Sequence, residues 1–273
     1  MPVRPLSVTF RTPIVPRRQK LITALLWGDT HFPHQDDPTI AVIFSILKRL
    51  QPTVMVHMGD ICDAYWISRF DKDPNRKDTL QDEIDMARQH LAQARKLSPN
   101  SRFVLLEGNH EDRLRRALWN MEGPAAQLAK LTAFKKALTW PALLGLDAMH
   151  IEFIPYAEQT KHMLLPRFLV KHGTVVRANS CYTANGEFSK YGKSGASGHT
   201  HRLGAFYRKD LNGSHVWVET GCTCSLDAEY TQDPNWQNGC VVLTFEPATG
   251  AVQVEPVYIA NGMTVFRGEV YHA

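Results

Sequence analysis

The chain has 273 residues, 44% hydrophobic and 21% charged, which supplies enough apolar mass for a large core and excludes a disordered polymer. Its 31 Lys and Arg stand against 27 Asp and Glu, a formal +4 that permits an anionic substrate without demanding nucleic acid. No apolar stretch approaches the ~18–20 residues that span a bilayer, so no membrane partner is expected. The five cysteines are scattered apart from Cys222-x-Cys224, which fits a reduced, cytoplasmic compartment.

Residues 1–20 carry Arg4, Arg11, Arg17, Arg18 and Lys20 with no acid, and Pro2, Pro5, Pro13 and Pro16 keep them out of a helix. This basic arm reads as a phosphate-backbone or partner contact, or as a solvated tail or an edge strand folded over the core. The apolar run 21–27 is too short for an export signal behind Arg17-Arg18 and reads as a buried strand. Asp37-Pro38 opens an amphipathic helix over 39–50, with Asp37 as its cap. A strand follows at 53–58, then a helix capped by Asp78 and running to about Leu97, then a strand at 102–106. This β–α–β–α–β order predicts right-handed crossovers around a sheet.

Beyond Glu111 the pattern is helical to about Leu138, broken at Gly123-Pro124. Strands then dominate: 151–154, 168–170, a hairpin of 203–208 and 215–219 around Asn212-Gly213, and 241–245 with 252–257 around a turn at 247–250. The glycine-rich stretch 177–197 is expected to be a mobile loop. A single domain is expected over 21–273, with 64–100 and 112–150 as helical insertions over a site. Nothing in the pattern signals an oligomeric state.

Residues able to bind metal recur directly after these strands. They are Gly28-Asp29-Thr30-His31, then Gly59-Asp60 with Asp63 nearby, then Gly108-Asn109-His110-Glu111, His172-Gly173, and Gly198-His199-Thr200-His201. Alone, a Gly-Asp pair is a turn and a His at a strand end is a hydrogen-bonded structural residue. Together they count, because the carboxyl ends of strands in an open α/β sheet share one edge, where ligands bind. Glycines beside the ligands allow tight turns and close backbone approach. Carboxylate, imidazole and amide oxygen suit Mn²⁺, Fe, Zn²⁺, Co²⁺ or Ni²⁺ better than a thiolate-selective ion. The donors exceed what one ion needs; two ions about 3.5–4 Å apart, sharing a carboxylate, would use them all.

In this order (DxH, GD, GNH[ED], H, GHxH) the chain resembles the calcineurin-like metallophosphoesterase superfamily, from Asp29 to His201. The resemblance implies a four-layer αββα sandwich of two mixed sheets flanked by helices, with a dinuclear centre at the sheet edge. It implies Asp29, His31 and His201 on one metal, Asn109, His172 and His199 on the other, and Asp60 bridging both. It also implies an unligated His110 beside the scissile phosphate, where it stabilises the transition state or protonates the leaving oxygen. Two divalent ions, Mn²⁺ foremost, would lower the pKa of a bridging water and give a hydroxide that attacks phosphorus in line. Asp63 could orient a ligand imidazole, or could cap a helix or sit at the surface.

The reaction class is clearer than the substrate. Gly-Asn-His-Glu looks like the version in Ser/Thr protein phosphatases. Those enzymes carry an Arg-Gly pair after the second-motif Asp and an Arg before Gly-Asn-His-Glu. Here the same places read Asp60-Ile61-Cys62-Asp63-Ala64-Tyr65 and Glu107-Gly108. The chain looks more like the bacterial and phage branch of phosphodiesterases and exonucleases of the DNA-repair type. A phosphodiester, DNA or another nucleic acid included, is the expected substrate. The alternatives are a phosphomonoesterase acting on a phosphoprotein or small metabolite, and a metal-free binding scaffold. Arg113 with Arg115 and Arg116, Tyr65 with Trp66 and Arg69, and Arg202 could contact substrate, since aromatics interleaved with Arg suit stacked single-stranded bases. They could equally be core aromatics and a solvated helix face.

Overall fold

Parallel strands buried on both faces are mainly apolar, and so are the first three strands, whose exceptions are Thr23, His57 and an exposed Arg102. In the computed structural model, which describes residues 21–161, 165, 167–227 and 233–273, β1 (Ile22–Trp27), β2 (Val54–His57), β3 (Arg102–Leu106) and β4 (Ile151–Ile154) pair in parallel in that order. The basic stretch 1–20 lies outside the described residues. β5 (Phe168–Lys171), β6 (Ser194–Ser197) and β8 (Gly213–Thr220) form a second, parallel set, with β7 (Leu203–Asp210) antiparallel on β8. β9 (Gly239–Phe245) joins the first sheet antiparallel to β1, and β10 (Val252–Tyr258) extends it.

Alternation along β1 sorts the two cores. Leu25 and Trp27 face α1 (Asp37–Leu50) and α2 (Leu80–Leu97), where they meet Ile43, Ile46, Ile84 and Leu91. Ala24 and Leu26 face the second sheet and pack with Val170, Ala196 and Val218. The outer face of that sheet is covered by α7 (Tyr182–Tyr191), whose Ala184 and Phe188 meet Leu169 and Trp217. The result is the expected αββα order of layers.

Several boundaries differ from the sequence reading. α1 is capped by Asp36, not Asp37: its carboxylate accepts from the Thr39 N–H at 2.8 Å, and Asp37 lies in the first turn. Thr79, not Asp78, caps α2, in a reciprocal pair with Asp82, because the Asp78 carboxylate is drawn to the Arg76 guanidinium at 2.8 Å. The helical stretch is four short helices, α3 (Asp112–Trp119), α4 (Gly123–Leu128), α5 (Thr132–Ala137) and α6 (Trp140–Leu144). Extended backbone at Leu131 and a Thr139 cap before Pro141 supply the extra breaks.

Stretch 177–197 is no mobile loop, since it holds α7 and β6. Buried Glu187 on α7 accepts from Lys171 Nζ at 3.0 Å and from the Thr174 and Val175 N–H groups, which ties the helix to the end of β5. Over 64–100, α2 is a core crossover helix, so only the part before it can approach the sheet edge. A C-terminal hairpin, β11 (Met263–Phe266) and β12 (Glu269–His272), packs on α1. Among the described residues no helix is long and apolar enough to cross a membrane.

Candidate metal centre

Each ligand-bearing motif sits just past the carboxyl end of a parallel strand: Asp29 and His31 after β1, Asp60 after β2, Asn109 and His110 after β3, His172 after β5, His199 and His201 after β6. The two sheets thus deliver five loops to one edge. His31 Nε2 lies 3.0 Å from His201 Nε2, and His201 Nε2 lies 3.5 Å from Asp29 Oδ1. His172 Nε2 lies 3.0 Å from Asn109 Oδ1, and the His172 and His199 rings are 5.1 Å apart. Asp60 stands between the groups, its Oδ2 3.8 Å from His31 Nε2 and 3.2 Å from His172 Nε2. The side chains Asp29/His31/His201 and Asp60/His172/His199 each converge closely enough to hold an ion.

The loops are strained to achieve this. Asp29, His31, Asp60, His199 and His201 all have φ between 48° and 72°, a left-handed conformation that costs non-glycine residues ~1 kcal/mol or more each. Backbone bonds hold them there: Asp29 N–H donates to Gly59 O, and Thr30 and His31 N–H both donate to Asp60 O. Gly108 must lack a side chain, because a Cβ would collide with the Asp60 carboxylate and backbone nitrogen.

Sequence reading gave Glu111 no role, although it closes the Gly-Asn-His-Glu motif. Fully buried, it accepts from the N–H groups of Gly108 (2.8 Å), Asp60 (2.9 Å) and Cys62 (3.0 Å), pinning the second and third motifs together. Glu111→Ala strands three buried donors, each worth about 1–3 kcal/mol. It should therefore destabilise the fold by ~3 kcal/mol or more in urea unfolding, and an unchanged midpoint would dismiss this brace.

His110 is aimed by Asp63. Its Nδ1 lies 2.7 Å from the Asp63 carbonyl and 3.1 Å from Asp63 Oδ1. The imidazole that Asp63 reaches is that of His110, which the resemblance leaves unligated. His110 Nε2 is 4.0 Å from Asp60 Oδ2 and 3.0 Å from Arg113 Nη2. Position alone would let it join His31 and Asp60 on an ion.

Of the suggested substrate contacts, only Arg113 touches His110 among the described residues. Arg202 donates to the carbonyls of Ala178 and Thr200. The Tyr65 hydroxyl donates to Asp71 O, and its ring carries Arg76 at 4.2 Å and Lys72 at 4.7 Å. Arg115 and Arg116 pair with Asp112, Arg69 is exposed, and Trp66 has a buried Nε1.

The model of the calcineurin-like phosphoesterase family matches residues 22–203. The chain belongs to that family. The Gene 54 proteins of Mycobacterium phages D29 and L5 are each 24% identical to it over 257 residues, covering 89% of this chain and 96% of theirs. Among solved structures, it is similar to vacuolar protein sorting 29 from Cryptosporidium parvum, with TM-score 0.44 and 11% identity over 93% of this chain and 99% of that one. It is also similar to Yfce, a phosphoesterase from E. coli, with TM-score 0.39 and 10% identity over 86% of this chain and 98% of that one.

In this phosphoesterase chain three of the donors already hold the protonation state a divalent cation needs, while His172 holds a proton and burial raises the Asp29 carboxyl well above its usual range, protons that an ion would displace. Burial first, then the charge of His110, pushes His31 down to about 3; burial and His172 push His199 down to about 4. Both rings are therefore neutral near pH 7, with lone pairs to offer. Burial opposes a proton on His172, but the Asp60 charge and hydrogen bond outweigh it and push His172 up to about 9. Burial likewise opposes the Asp60 charge, and His172 and His110 outweigh it and hold the carboxyl well below its usual range. The donor chemistry fits: His31 and His201 aim Nε2 at each other with room for one proton at most, and a cation between lone pairs would resolve that contact.

Glu83 on α2 supports the loop after Asp60, its Oε2 accepting from the Ala64 N–H at 2.5 Å. Burial raises its carboxyl from 4.5 to about 8, against that hydrogen bond. A pKa higher in the folded state gives stability that is complete below 4.5 and lost as pH rises through about 8. Glu83→Gln should remove this dependence. In paired thermal melts at pH 5 and pH 9, wild type should lose more stability than the variant, and parallel losses would contradict the assignment.

Proposed function

We propose that this phosphoesterase hydrolyses a phosphodiester with two divalent ions, Mn²⁺ foremost among Mn²⁺, Fe, Zn²⁺, Co²⁺ and Ni²⁺. Asp29, His31 and His201 would hold one, Asn109, His172 and His199 the other, and Asp60 both. The observation that carries this reading is the place of Asp60 Oδ2, within 3.8 Å of His31 in one donor group and 3.2 Å of His172 in the other. When bound, such ions acidify a water near neutral pH and offset charge on phosphoryl oxygens.

The chain's own groups do the rest. His110, fixed by Asp63, would give a proton to the leaving oxygen or hold a phosphoryl oxygen once substrate draws Arg113 off Nε2, which accepts from that guanidinium in this geometry. Arg113, touching His110 Nε2 at 3.0 Å, supplies a guanidinium that the second motif lacks. Arg113 is itself tied down, its Nη1 donating to the Asp63 carbonyl at 2.6 Å, as are its neighbours: Arg76 pairs with Asp63 and Asp78, and Lys72 donates to the carbonyls of Tyr65, Ser68 and Phe70. One guanidinium suits a singly charged diester better than a doubly charged monoester.

A nucleic-acid strand is the diester these surroundings favour. Arg113 lies 5.9 Å from the ring centroid of exposed Phe70, and Arg115 lies 4.1 Å from that of exposed Trp119. Arg beside an open aromatic face is what stacked bases need. Bis-(p-nitrophenyl) phosphate, p-nitrophenyl phosphate and single-stranded DNA, each assayed in Mn²⁺, test the reading. Turnover of the diester and DNA is expected. Turnover of the monoester alone would replace the reading with a phosphomonoesterase, and failure to bind any metal would leave a scaffold.

A further inference from the structure

We propose that His201, Cys222 and Cys224 form a third metal site, selective for a thiophilic ion such as Zn²⁺, Cd²⁺ or Cu⁺, which shares His201 with the pair of sites already described. The three offer one nitrogen and two sulfurs, all within 4.8 Å of one another and all buried. Cys224 Sγ lies 3.7 Å from His201 Nδ1. That nitrogen points away from the catalytic side, where Nε2 of the same ring faces His31 and Asp29. His201 thus has two faces, one toward oxygen and nitrogen donors and one toward sulfur.

The chain holds the sulfurs in place independently of any ion. Cys222 and Cys224 each sit on an isolated bridge to either side of a bend at Thr223, and their sulfurs face together. Thr223 anchors the segment, its N–H and its hydroxyl both donating to Gly28 O at 3.0 and 3.1 Å. From the far side, Asn238 Nδ2 donates to Cys224 O at 2.8 Å and lies 3.7 Å from Cys222 Sγ. The Trp236 ring stands 4.3 Å from the His201 ring and helps to keep water out.

The bridge partner of Cys224 is a candidate fourth donor. Gln35 pairs antiparallel with Cys224, and residues directly opposite in such a pair put their side chains on the same face. Its Oε1 is buried and has no hydrogen-bond partner among the described residues, an unusual state for an amide oxygen. Two sulfurs, one imidazole and one oxygen make a four-coordinate set that thiophilic ions accept and Mn²⁺ does not prefer. Nothing in phosphoester hydrolysis calls for two buried thiols. Cys62, Cys181 and Cys240 are free as well, but belong to no such group among the described residues.

Binding would be linked to proton release. Both thiols give their protons to solvent and bind as thiolates, and His201 binds through the Nδ1 lone pair. With Nε2 engaged on the catalytic side, the ring also gives up its remaining proton and is shared as an imidazolate.

The test starts from Mn²⁺-loaded protein titrated with Cd²⁺. Sulfur-to-cadmium charge-transfer absorption is expected to saturate at one ion per chain. It should be lost in Cys222→Ser and Cys224→Ser and kept in Cys62→Ser and Cys240→Ser. Absence of the band, or its survival in both of the first two variants, would overturn the proposal. Because serine at a buried position can prevent folding, anomalous diffraction from Cd²⁺-soaked crystals of the unmutated protein gives a second reading. A peak among His201, Cys222 and Cys224 is expected, and cadmium confined to the Asp60 side would overturn the site. Both readouts follow sulfur coordination rather than turnover, so they stand apart from the phosphodiesterase reading.

Discussion

Asp60→Ala is expected to empty both catalytic metal positions and to reduce phosphoester turnover to background. Its Oδ2 is the only carboxylate oxygen among the described donors within 4 Å of both His31 and His172. On the proposed assignment, removing it would take a ligand from each ion, together with the countercharge that raises His172. Loss of even an outer partner of a metal ligand typically weakens binding about 10–100-fold, so loss of a shared ligand should exceed ~100-fold for both ions. The change also frees the His110 N–H from Asp60 Oδ1, but the bond from the Asp60 N–H to Glu111 stays and should keep the loop in place. Metal content measured after gel filtration decides the matter, and a variant that keeps two ions at full occupancy would refute the shared role.

His110→Ala should behave in the opposite way, keeping its metal and losing its rate. The ring contributes no donor to either proposed metal set. Its Nδ1 is held at the Asp63 carbonyl and carboxylate, and its Nε2 faces Asp60 and Arg113. A positioned proton donor of this kind contributes about 10²–10⁴-fold in rate. Steady-state turnover of bis-(p-nitrophenyl) phosphate should fall by that factor at unchanged metal content. Asp63→Asn should cost less, because the Asp63 carbonyl still holds Nδ1. Normal turnover in His110→Ala would remove His110 from the chemistry.

The first half of the fold was legible because its central strands are buried on both faces and appear as mainly apolar runs bounded by turn residues. The sheet edge was legible for a related reason: Asp29, Asp60, Asn109 and His172 each follow a largely apolar run within a few positions, whereas His199 follows the Ser-Gly-Ala-Ser of β6 and showed only through its GHTH motif. What stayed hidden depends on contacts between distant residues. Glu111 finds its backbone donors at Asp60 and Cys62, about fifty positions away, and Cys224 meets His201 across two strands. Neither leaves a mark in local periodicity. Stretch 177–197 misled because its glycines outweighed Ala184 and Phe188, which lie four residues apart on one helical face against Trp217. Asp36 and Asp37 are adjacent acids, and only the bond to Thr39 tells which one caps.

Electron paramagnetic resonance of the unmutated protein reconstituted with Mn²⁺ addresses the pair of sites most directly. Two donor groups that share Asp60 should hold two ions close enough to give an exchange-coupled spectrum, with two Mn²⁺ bound per chain. A spectrum of isolated Mn²⁺, with one ion per chain, would contradict the account.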